Sequence, residues 1–92
     1  MAYVRCKVSE GLRDSEASVG VRGLDGSTAY LRVERYFLQH FGSDYYLPVG
    51  VVYHGREGDP VLVEFPHEAD NGANRVWVAA QDVRFETEGA VA

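Results

Sequence analysis

Pro60-Val61-Leu62-Val63-Glu64-Phe65 and Arg75-Val76-Trp77-Val78-Ala79 decide how this 92-residue chain is read. Both runs are rich in β-branched and aromatic residues, which suit a pleated surface. Successive side chains of a strand point to opposite faces. Val61, Val63 and Phe65 therefore share one face, with Leu62 and Glu64 on the other. In the second run Val76 and Val78 oppose Arg75, Trp77 and Ala79. A polar loop, residues 66–74, joins the two. A short break, Ala80-Gln81-Asp82, then leads to a third run, Val83-Arg84-Phe85.

Working outward from this stretch, strand signals continue. Residues 3–8 alternate with period two and suit a first strand, with Val4, Cys6 and Val8 on one face. Residues 9–17 are polar and read as a loop with Leu12 as its one apolar anchor. Residues 18–22 and 28–34 flank Gly23-Leu24-Asp25-Gly26, and Asp-Gly tolerates the positive φ angles of a tight hairpin turn. Val19 and Val21 should meet Ala29, Leu31 and Val33 in the core. Residues 34–41 support either a strand or one helical turn, since Val33, Tyr36, Phe37 and Phe41 also fall at helical spacing. Residues 45–53 form the longest strand, with Tyr45, Leu47, Val49, Val51 and Tyr53 on one face and Tyr46, Pro48, Gly50, Val52 and His54 on the other. Pro48 and Gly50 mark a bend or bulge. Residues 54–59 are a glycine-rich hairpin loop, and the tail 86–92 is small and acidic.

Five to seven short antiparallel strands with tight turns predict an all-β fold, an open barrel or sandwich in one domain over residues 1–85. Short loops followed by a late break before a final short strand resemble the end of an SH3-like barrel. The likeness is architectural. Signalling SH3 domains also carry clustered tyrosines near their first strand, whereas Tyr3 stands alone here, so binding of proline-rich peptides is not carried over.

Composition narrows the function classes. A net charge of −5, with eight Arg and one Lys scattered along the chain, disfavours nonspecific nucleic-acid binding. No apolar run is long enough for a membrane helix. Residues 1–8 carry Arg5 and Lys7 within a short alternation, unlike a signal peptide. Cys6 is the only cysteine, which removes an internal disulfide and a cysteine-rich metal site and reads as a small buried hydrophobe. A cytoplasmic location is the default expectation, and no cofactor is implied.

No catalytic motif is present. Gly20, Gly23 and Gly26 match neither a phosphate loop nor a dinucleotide fingerprint. His40, His54 and His67 lack metal-ligand spacing. An acid–base or metal site would need His54, His67, Glu68 and Asp70 to converge on folding. The loop 66–74 gathers the possible oxygen ligands Glu68, Asp70, Asn71 and Asn74, but not at the spacing of a calcium loop. Its simplest reading is structural, with Asp70 and Asn71 bonding their own backbone and Gly72 at positive φ. Its second reading is a partner-binding loop.

Trp77 leaves two readings open. It is a core residue, or it stands with Leu62, Tyr30, Tyr46 and Arg75 in an exposed patch of the aromatic-plus-arginine kind found at interface hot spots. The expectation that follows is a non-catalytic protein-interaction module, able to form a homodimer through a sheet edge or apolar face. The alternative is a barrel face that stacks nucleic-acid bases, using Arg32, Arg75 and Arg84 with Tyr30 and Trp77.

Overall fold

The computed structural model describes residues 2–11 and 13–86. It is all-β, with eight antiparallel strands curled into a half-barrel of the small SH3-like kind. The strands are β1 (Ala2–Glu10), β2 (Glu16–Arg22), β3 (Thr28–Glu34), β4 (Gln39–Phe41), β5 (Asp44–His54), β6 (Val61–Glu64), β7 (Arg75–Val78) and β8 (Val83–Phe85). The order across the sheet is β3-β2-β1-β5-β6-β7, with β4 added to β5 and β8 added to β1. The count exceeds the expected five to seven because the ambiguous segment 34–41 supplies a separate short strand, β4. Leu12 and residues 87–92, most of the expected acidic tail, lie outside the described residues.

The ambiguous segment 34–41 contains both alternatives in succession. Arg35–Phe37 forms one 3-10 turn, and β4 follows and folds back onto β5 through Gly42 at φ +63°. The helical face does not form, since Tyr36 is 84% exposed. The break at Ala80–Asp82 is a second 3-10 turn, and it delivers β8 to the edge of β1.

The core lies inside the curl. Val4 and Cys6 of β1, Val19 and Val21 of β2, Ala29, Leu31 and Val33 of β3, Leu47 and Val49 of β5, Val61, Val63 and Phe65, and Val78 are all buried. The buried residues lie on the faces assigned by alternation, but Tyr45 and Tyr53, assigned to the same face of β5 as Leu47 and Val49, are exposed. Burial pushes the Cys6 thiol up to about 12, so it stays protonated and inert at neutral pH.

The β2–β3 hairpin forms where expected, though its turn is wider than a two-residue one. The Gly23 N–H donates to the Ser27 carbonyl at 2.7 Å, and only Gly26 has positive φ. The Ser27 hydroxyl and N–H both donate to the Asp25 carboxylate, which lowers its pKa.

Candidate functional site

The feature that shapes the outer surface is a bulge in β5. Val51 pairs with Val63, but Tyr53 pairs with Leu62, so Val52 is the extra residue. One inserted residue reverses the facing of everything after it. Tyr53, expected in the core with Val51, is turned outward and is 57% exposed. The same register places Leu62 opposite Trp77. Tyr53, Leu62 and Trp77 thus form one row across β5, β6 and β7.

Trp77 is 43% exposed and meets the Tyr53 ring edge-on at 5.9 Å between centroids. This is the geometry favoured by aromatic quadrupoles. Leu62 between them is half-buried. The next row along the strands holds Gly50, Glu64 and Arg75. Arg75 Nη2 lies 3.6 Å from Glu64 Oε1 in an exposed ion pair. Of the two readings of Trp77, the structure has the outward one: Val78 is buried, Val76 is half-buried, and the indole stands on the opposite face.

Leu24, at the tip of the β2–β3 hairpin, adjoins this row. Its N–H donates to the Trp77 carbonyl at 2.7 Å, and its own side chain is exposed. Leu24, Asp25, Ser27, Arg75, Val76 and Trp77 line an open groove of about 480 Å³. The sequence signal for Leu24 was a large apolar residue inside an otherwise polar turn.

Tyr46 does not join the patch. It is only 7% exposed, and its ring packs against Phe41 at 5.4 Å. Phe41 also meets Tyr3, 6% exposed, at 5.6 Å. The Arg84 guanidinium covers this cluster, 4.3 Å from the Phe41 centroid. Cover from β4, folded back onto β5 by a tight turn, and from β8, distant in sequence, is the reason for the burial. Arg5, on the same outer face, donates to Asp82 at 2.7 Å and lies 3.7 Å from Asp44. The hydrogen bond and charge of Asp82 raise its pKa further.

Tyr30 is exposed on β3, at the other end of the strand order from β7, and it pairs with Gly20. A side chain at Gly20 would press on its ring. Tyr30 therefore shields a glycine backbone.

The loop 66–74 closes the curl. Ala69 is buried in the core. The Asp70 N–H donates to the Tyr30 carbonyl at 2.8 Å, and His67 Nε2 lies 2.9 Å from the Arg32 carbonyl. Asn71 Oδ1 accepts the Ala73 N–H, the Gly72 N–H donates to Ala69, and Gly72 has φ +87°. Asn71 and Gly72 act as the structural reading expected, whereas Asp70 works through its main chain. The Asn74 carbonyl accepts the Phe65 N–H at 2.7 Å, and the Glu68 carbonyl lies 3.0 Å from His67 Nδ1.

The residues proposed for acid–base or metal chemistry do not converge. His54 lies beside the Phe85 ring at 5.8 Å, while His67 is held against β3. Among the described residues, no three His, Cys, Asp or Glu side chains are placed to hold a metal ion. Among them, too, no helix is long and apolar enough to cross a membrane. Comparison with protein-family models, with curated proteins and with solved structures finds no match.

Proposed function

We propose that this chain is a small non-catalytic protein-interaction module that works through the outer face of β5, β6 and β7. The observation that carries this reading is the row Tyr53–Leu62–Trp77, with two large aromatic rings exposed beside a half-buried leucine on one face of the sheet. Tryptophan and tyrosine beside an arginine are the residue types that dominate interface energies. Contiguous exposed apolar area marks contact surfaces. Arg75 and Leu24 belong to the surface; Tyr46 does not, and Tyr30 stands apart from it.

Two features weigh against the nucleic-acid alternative. Arg32, Arg75 and Arg84 lie on β3, β7 and β8, Arg75 is paired with Glu64, and Arg84 covers Phe41. The net charge of −5 adds repulsion from phosphate. A lone buried cysteine suits the reducing cytoplasm. Self-association through the same face is the symmetric form of the reading.

Affinity capture from the source cells, with wild type, Trp77→Ser, Leu62→Ser and Tyr36→Ser, tests the proposal. Proteins retained by wild type and by Tyr36→Ser should be lost with both row variants. Equal retention by Trp77→Ser would overturn it. Light scattering over a concentration series reports the symmetric form, as a dimer that Trp77→Ser dissolves.

A further inference from the structure

The two terminal strands of the sheet order, β3 and β7, carry different cover. A sheet edge leaves a row of main-chain donors and acceptors open to pairing with another chain. Along β3, the loop 66–74 occupies two outward carbonyls, through the Asp70 N–H on Tyr30 and the His67 ring on Arg32.

Along β7 the ladder itself shows which groups point outward. The Phe65 N–H donates to the Asn74 carbonyl, in the same register that pairs Glu64 with Arg75 and Leu62 with Trp77. Hydrogen-bonded and non-hydrogen-bonded pairs alternate in an antiparallel ladder. Arg75 and Trp77 are therefore the non-bonded positions, and their main-chain groups face the free edge. The Leu24 N–H on the Trp77 carbonyl agrees with this. Among the described residues, the N–H and C=O of Arg75 and the N–H of Trp77 have no backbone partner. The groove of about 480 Å³ lies along this edge, lined by Arg75, Val76 and Trp77 of β7 and by Leu24, Asp25 and Ser27 of the hairpin turn.

We propose that this slot takes an extended peptide segment of a partner protein, added beside β7 as a further strand. The segment's main chain pairs with Arg75 and the Trp77 N–H, and one apolar side chain lies between Leu24 and Trp77. Unpaired donors and an acceptor at strand spacing call for another main chain, and the apolar walls select its side chain. This inference rests on the interaction reading above and gives it a binding mode.

The test is selection of a phage-displayed library of random peptides on the full chain, followed by synthesis of the enriched peptides. Amide hydrogen exchange of Arg75 and Trp77 is then measured with and without peptide. The expected result is slowed exchange at both amides. Main-chain N-methylation of the peptide should weaken binding at least tenfold at alternate residues only, and Leu24→Asp should weaken it similarly. Binding that Trp77→Ser abolishes, but that neither protects Arg75 nor responds to N-methylation, overturns the strand mode and leaves the interaction reading standing. Absence of any peptide sensitive to Trp77→Ser overturns the proposal, whereas the interaction reading then stands or falls on the capture experiment. Concentration-dependent dimerisation that protects the same amides without peptide assigns the slot to a second copy and also overturns it.

Discussion

β5 carries an aromatic cluster on its outer face near each end, and the two have opposite fates. Near its start, Tyr46 packs with Phe41 and Tyr3 under the Arg84 guanidinium and is almost lost from solvent. Near its end, Tyr53 stands with Leu62 and Trp77, and both rings are well exposed. Residue type does not distinguish them. The difference is that the chain spends two three-residue strands, β4 and β8, on covering the first cluster. The first works as an extension of the core, and the second is left as surface.

The sharpest way to test that contrast is to truncate one ring from each cluster. Tyr46→Ala should cost about 3 kcal/mol, as for a large aromatic removed from a packed site. Trp77→Ala should cost about 1 kcal/mol, the scale of one edge-on aromatic contact. Urea unfolding of the two variants measures both, and equal losses would erase the distinction.

Deleting Val52 removes the extra residue of the second cluster's strand. Val51 and Tyr53 then become adjacent, on opposite faces and in regular register with Val63 and Leu62, so Tyr53 stays in the row. Persistence of the Tyr53–Trp77 ring contacts by nuclear Overhauser measurement is the expected result. Their disappearance would mean that register with Leu62 does not set the facing of Tyr53.

Arg84→Ala uncovers the first cluster. An exposed cation–π contact is worth about 0.5–1 kcal/mol, and the loss should appear in the same unfolding assay as partial exposure of the tyrosines. The smallest effect belongs to Glu64→Gln, beside the second cluster. Its exposed pairing with Arg75 should contribute less than about 0.5 kcal/mol, and the difference from wild type should vanish in high salt.

Alternation made the core legible: Val19, Val21, Leu31, Val61, Val63 and Val78 are buried on the faces their spacing assigned. The break at Ala80–Asp82 and the strand β8 after it were legible, though not that the break is a 3-10 turn. The outward facing of Trp77 followed from its valine neighbours once those were taken as core. What periodicity misses is a change of parity. Pro48 and Gly50 announce an irregular strand, but the bulge falls at Val52, and so Tyr53 was assigned to the wrong face. Alternation also gives faces without neighbours. Nothing local to Tyr46 reveals that Arg84 will lie over it, and nothing local to Trp77 reveals Leu24 beside its carbonyl. The loop 66–74 looked functional because it is polar and long. Its main-chain bonds to β3 and the buried Ala69 show that much of it closes the curl.

Trp77 is the only tryptophan, so its fluorescence in dilute protein reads directly on the open surface. Acrylamide quenching of the native chain should proceed readily, approaching the rate seen in urea, with emission toward the red of a buried indole. Weak quenching and blue emission from dilute monomer would place the indole inside the fold and contradict the account.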